Sequence, residues 1–304
     1  MDIENANFNH IHLINSDENI LKVLEQSNTF LKSRNDLSST IEEILWIFRA
    51  LEDLIPQTLE NFWSGHIFPL VESNSDLENS IQLCKLGFYK SAIVTLRNVL
   101  ELSLLSVYWD INDNSHIDIQ KWLRASEKTP FKKTVFVKLK TNQNIKTFDS
   151  KHNIFKNIDV IFKQLSNFIH TRGQYHSNQD LAKSNTNRFN EQAFLKWFEL
   201  MTDVVQLVVS LHILKYPVAL QHTPIEQKFG INGPVGLFLR PSDATKIRNF
   251  LDDDILKTLQ EISDADLNAQ SLREWVEEQP DISDDELQEQ IKDFEKIHPN
   301  ITDY

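Results

Sequence analysis

Apolar residues along this chain recur mainly at three- and four-residue intervals, the spacing of one face of a helix. Ser16 precedes a run through Ile20, Leu21, Leu24 and Phe30. Ser39, with Glu42 three residues on, reads as a capping box opening a helix. Its apolar face is Ile41, Ile44, Leu45, Phe48 and Leu51, and Pro56 stops it. A further helix is expected over Leu77 to Leu86, with Gly87 as a break. Tyr89 to Trp109 is apolar all round (Ile93, Leu96, Val99, Leu100, Leu104), which predicts a helix buried on most sides. A short helix follows over Ile117 to Leu123.

From Lys128 to Lys151 the pattern becomes irregular and basic. Phe131, Val135, Val137 and Leu139 alternate weakly, so a short strand is one reading there. Ile154 to His170 predicts a helix with Ile158, Ile161, Phe162, Leu165 and Ile169 on one face. Thr171 to Asn187 reads as loop, and Phe189 to Tyr216 as a long helix ending before Pro217. Beyond it, residues 228–234 are turn-rich, and Leu237 to Leu239 suit either a short strand or simple packing. Ser242 and Ser263 are expected to start helices, and Ser283 with Glu286 makes a second capping box. The expected fold is therefore all-α: N-terminal helices over 1–60, a helical bundle over 61–217, and an acidic helical appendage over 218–304.

Composition supports helices and removes several chemistries. Six glycines in 304 residues fall well below the usual share of about 7%, and no Gly-rich phosphate loop is present. The single cysteine, Cys84, permits no intramolecular disulfide and sits among Ile81, Leu83 and Leu86 as a core residue would. The Asp pairs at Asp252–Asp254 and Asp284–Asp285 lack calcium-loop spacing and its glycine. His10, His12, His152, His170 and His176 lack metal-ligand spacing, so neither metal nor cofactor is expected. No Gly-x-Ser-x-Gly turn offers a serine nucleophile. The acidic start (Met1-Asp2-Ile3-Glu4) is unlike a signal peptide, which makes the cytoplasm the expected compartment. The most apolar window, Val204 to Leu214, falls short of the roughly 20 residues of a spanning helix, so no membrane partner is expected.

Charge changes the picture more than composition does. The net charge of −13 is unevenly spread. From Ile262 to Tyr304 thirteen acids face three basic residues, a net −10. From Lys121 to Arg172 twelve Lys and Arg face Glu127, Asp149 and Asp159, a net +9. A basic segment inside an acidic chain points to an anionic ligand, RNA being one, or to docking of the acidic tail. The acidic tail is equally a surface for a protein partner. Phe131, Phe136, Phe148 and Phe155 lie in the basic stretch as candidates for base stacking, although this spacing also suits a core.

The residues with chemistry to offer are Arg97, Glu101, Ser166, His170 and Arg172. Arg97 and Glu101 stand four apart on one face of a buried-looking helix, where they either form a structural ion pair or serve a site. Ser166 and His170 are spaced likewise near the end of the 154–170 helix, where a histidine suits proton transfer. Arg172 and His176 follow in a segment containing Gly173. If the two helices pack face to face, Arg97, Glu101, Ser166 and His170 meet in one polar pocket.

The string Gly87-Phe88-Tyr89-x2-Ala92-x4-Arg97-x3-Glu101, followed by Leu165-Ser166-x3-His170, resembles a pattern in helical proteins distantly related to the HEPN superfamily of four- and five-helix bundles. The resemblance covers about 62–217. Many HEPN proteins are metal-independent ribonucleases of toxin–antitoxin or phage-defence systems, often dimeric. The resemblance thus implies His170 as general acid or base and Arg97 or Arg172 on the phosphate, with the basic stretch holding the backbone. The chain departs from the family hallmark, Arg-x4-6-His on one helix: Arg172 and His176 are separated by only three residues, and Arg97 and His170 lie far apart in sequence. The other reading is a non-enzymatic helical scaffold with a structural Arg97–Glu101 pair.

Overall fold

The computed structural model describes residues 17–57, 66–112, 117–177 and 188–297. Their regular secondary structure is entirely helical, with no strand among them. The helices are α1 (Asp17–Ser33), α2 (Asn35–Leu54), α3 (Phe68–Lys85), α4 (Tyr89–Asn112), α5 (Ile117–Leu123), α6 (Lys132–Leu139) and α7 (Gln143–His152). They continue as α8 (Ile154–Ile169), α9 (Glu191–Lys215), α10 (Ile225–Phe229), α11 (Pro241–Phe250), α12 (Asp253–Ala265), α13 (Leu267–Glu277) and α14 (Asp284–Ile297). Short 3-10 turns lie at Gln174–His176 and Pro217–Leu220. The expectation for Ser16 falls outside the described residues.

Several boundaries differ from the apolar pattern, each for a local reason. Helix α2 begins before Ser39, whose hydroxyl donates back to the Asn35 carbonyl at 2.7 Å, the habit of a serine inside a helix rather than at its cap. The entry to α2 is braced by Arg34, which grips both Asp36 oxygens at 3.0 and 2.8 Å. Helix α3 starts nine residues ahead of the expected Leu77, because polar residues of its first half turn inward. Ser73 is buried there, its hydroxyl 2.7 Å from that of Ser103.

The basic stretch is no strand. Val135 and Leu139, four apart, are buried, while Val137 between them is 61% exposed, so the period there is that of helix α6. Helix α7 is capped by Asn142, whose side chain accepts from the Ile145 amide at 3.0 Å. Asn153 then adopts a left-handed conformation (φ 52°), and α8 begins at the next residue.

In the last third, Leu237 is also left-handed (φ 69°), which rules out a strand at 237–239. Its amide donates to the Leu54 carbonyl at 2.9 Å. Ser242 does not cap α11, which opens on Pro241 after Arg240 without a side-chain cap. Ser263 lies buried inside α12 and donates to the Pro217 carbonyl at 2.6 Å. The cap of α13 is Asp266, accepting from the Ala269 amide at 2.9 Å. The capping box at Ser283 and Glu286 is present in both directions: the Ser283 amide to the Glu286 carboxylate at 3.0 Å, and the Glu286 amide to the Ser283 hydroxyl at 3.3 Å.

Packing divides the chain into two compact units: residues up to 41 with 75–100 and 159–204, and residues 42–74 with 101–158 and 205 onward. In the first, a buried relay joins three helices, with the Trp197 indole donating to Ser80 Oγ at 2.9 Å and Ser80 donating to the Ala92 carbonyl at 2.8 Å. Phe30 packs against Phe189 and Phe194, with ring centroids 5.3 and 5.4 Å away. Gly87 (φ +82°) closes the α3–α4 turn where a Cβ would meet Val23 at 2.9 Å. In the second unit, Asp110 at the end of α4 pairs with Lys215 at the end of α9 at 2.5 Å. Helix α12 docks on the 217–220 turn and on α7, through Lys151–Glu261 at 2.7 Å, His152–Thr258 at 2.8 Å and Asn144–Asp266 at 2.8 Å.

Two helical segments, Tyr89–Ile111 and Glu191–Lys215, are long and apolar enough to cross a membrane, a length that the short window Val204 to Leu214 did not suggest. Their apolar windows are 61% and 67% buried within the protein, the pattern also of core helices.

Candidate functional site

Within the first unit, two contacts fix how α4 and α8 run past each other. The Lys90 ammonium donates to Thr171 Oγ1 at 2.7 Å, and the Arg97 guanidinium carbon lies 5.6 Å from the centre of the Phe162 ring. Moving forward along α4 therefore moves backward along α8, and the helices are antiparallel. Arg97, half-buried, stands level with Phe162. Ser166, also half-buried, is one turn further along α8, and His170, just past the end of the helix, is exposed. Eight residues of helix separate Phe162 from His170, about 12 Å along the axis. Arg97 rests on the aromatic face, an attraction of about 0.5–2 kcal/mol.

The end of α8 is tightly capped. Thr171 takes a left-handed conformation (φ 46°), unusual for a β-branched residue, and the Arg172 amide donates to the Asn167 carbonyl at 2.9 Å. The Arg172 carbonyl lies 2.6 Å from His176 Nδ1, and the His176 ring meets Phe168 edge-on at 4.9 Å. His170, Arg172 and Lys90 thus converge on the α8 terminus, while Arg97 lies two turns inward. Glu101 is half-buried, one turn beyond Arg97 along α4.

The second unit carries a different feature. All ten basic residues from Lys121 to Lys156 are solvent-exposed. Lys121 stands 3.6 Å from both Asp118 and Glu127, and Lys151 is engaged by Glu261. The Lys140 ammonium lies 4.7 Å from the centre of the Phe155 ring. Of the four phenylalanines in this stretch, three are committed to packing: Phe136 against Phe155 at 4.9 Å, and Phe148 stacked on His152 at 4.4 Å. Phe131 is 80% exposed.

One buried polar cluster gave no sequence signal. His212 is fully buried near the end of α9, its Nδ1 2.8 Å from the Val208 carbonyl, and burial lowers its pKa to about 4 against the pull of that carbonyl and of Asp110. Burial raises the Tyr216 phenol, reinforced by Asp110. Burial likewise pushes the Cys84 thiol up, away from reactive thiolate. Among the described residues no group of three or more His, Cys, Asp or Glu is arranged to hold a metal ion. No family model, curated protein or solved structure matches the chain.

Proposed function

We propose that this protein binds RNA through the lysine-rich face of α5–α7, as a helical-bundle binding protein rather than through a cleavage site at Arg97 and His170. The observation that carries the reading is the outward display of every basic side chain from Lys121 to Lys156 on a chain of net charge −13. Such a concentration of exposed cations in an acidic protein suits a polyanion, whose condensed counterions are released on binding. Lys133 and Lys138 make no ion pair among the described residues, so their charge is available. Binding is favoured over HEPN-type cleavage because Arg97 rests on Phe162, two turns from His170. That separation, about 12 Å along the α8 axis, counts against one phosphate being held by Arg97 while His170 transfers its proton.

The test is fluorescence anisotropy of a labelled mixed-sequence RNA, with EDTA present, across a salt series. Wild type should bind with strong salt dependence. Replacing Lys133 and Lys138 by Ala should weaken binding and flatten the slope of log K against log salt by about 0.7 per lysine. Unchanged affinity and slope would defeat the reading. The same RNA, run on a gel, should remain intact. Cleavage abolished by both His170→Ala and Arg97→Ala would replace it with a metal-independent ribonuclease.

A further inference from the structure

We infer that Phe131 is a base-stacking post that makes the lysine-rich face prefer unpaired strands over duplex; this rests on the RNA-binding reading above. The ring is 80% exposed, yet its backbone is fixed. Pro130 precedes it, and its own carbonyl accepts the Thr134 and Val135 amides at 2.8 and 3.1 Å as α6 begins. Phe131 itself holds an extended conformation, φ −64° and ψ 144°. The approach to it is tied down as well, since the Trp122 indole donates to Thr129 Oγ1 at 3.0 Å. An aromatic ring so presented meets a partner with little ordering left to do.

Its surroundings are cationic: Lys128, Lys132 and Lys133 lie within three residues of it, and all are exposed. An aromatic face beside cations that track a phosphate backbone is the arrangement by which proteins hold single strands, because every unpaired base offers a π-face. A duplex keeps its bases stacked on each other and offers only its backbone to the same lysines. The remaining aromatic residues of the stretch are packed, so the discrimination falls on this ring.

The experiment compares anisotropy of one labelled RNA strand with that of the same strand annealed to its complement. It uses wild type, Phe131→Ala, Phe131→Trp and the Lys133→Ala/Lys138→Ala variant, with anionic phosphatidylserine vesicles as a competitor. Phe131→Ala should lose about tenfold in single-strand affinity, with duplex affinity and salt slope unchanged. Phe131→Trp should retain single-strand affinity, and its new indole should be quenched on binding. Equal loss on both RNAs, or no loss, overturns the inference while lysine sensitivity keeps the RNA reading intact. Lysine insensitivity brings down both. Vesicle binding that depends on Phe131, without preference between the RNAs, overturns the inference and assigns the face to a lipid surface.

Discussion

His212 is held neutral by burial, and stability must register that. Its folded pKa, about 4, lies below the ordinary 6.5, so the unfolded chain takes up the proton first as pH falls. The stability of the neutral form is therefore complete above about pH 6.5 and declines until pH about 4, by roughly 1.4 kcal/mol per unit. Urea unfolding of wild type across that window should show a loss of about 2–4 kcal/mol. His212→Leu should flatten the decline. An equal slope in the variant would assign acid sensitivity elsewhere. At this scale the sequence was partly readable. The i, i+4 spacings of Arg97 with Glu101 and of Ser166 with His170 follow from helical geometry alone. What spacing does not contain is the register between two helices, and here Lys90–Thr171 and Arg97–Phe162 set it. His212 sits in the most apolar run of the chain, where its imidazole is masked by its neighbours.

At the scale of elements, the relay through Ser80 ties α3, α4 and α9 together with neutral groups only. Ser80→Ala leaves the Trp197 indole N–H buried without its acceptor, and should destabilise by about 1–3 kcal/mol. Adding Trp197→Phe removes the orphaned donor, so the double variant should fall short of the sum of the singles in urea melts. Additive losses would mean that the bond contributes little. Helices with a clean apolar stripe were legible, as α8 shows; its predicted span, 154–170, exceeds the observed one by a single residue. Helices α6 and α7 were not, because α6 buries only Val135 and Leu139 and α7 only Ile145 and Phe148. So short an element leaves too few apolar positions to separate a period of two from one of four. Conversely, α3 hid its first half behind a polar run in which Ser73 turns inward to meet Ser103 of α4.

For the whole molecule, the opposed charge of the tail and the basic stretch raises the question of competition for one surface. Helix α12 already meets α7 through Lys151–Glu261 and His152–Thr258, and it contributes the buried Leu259 and Ile262 to the core. A cut after Gln260 would thus breach a core helix, whereas a cut after Gln279 leaves α12 and α13 whole. Residues 280–304 carry eight acids and two lysines, a net −6. If they screen the lysine-rich face, their removal should strengthen RNA binding at low salt and leave it nearly unchanged at high salt, where such effects are screened. Equal affinity in both chains at low salt would end the masking idea. The charge split was visible in sequence; the interlocking of α12 was not, since it depends on Ser263 and Asn144 finding partners far away in the chain.

The turn at Gly87 bears on how a chain like this one can diverge. Any side chain there meets both a left-handed backbone and the Val23 methyl, so a change at 87 calls for a smaller residue at 23, whereas 23 can change alone. Surface lysines can be exchanged one at a time, and aliphatic core residues can trade volume with their neighbours. A glycine at this turn cannot be traded without shortening residue 23 and accepting backbone strain as well. The glycine is therefore the position of this turn least free to change.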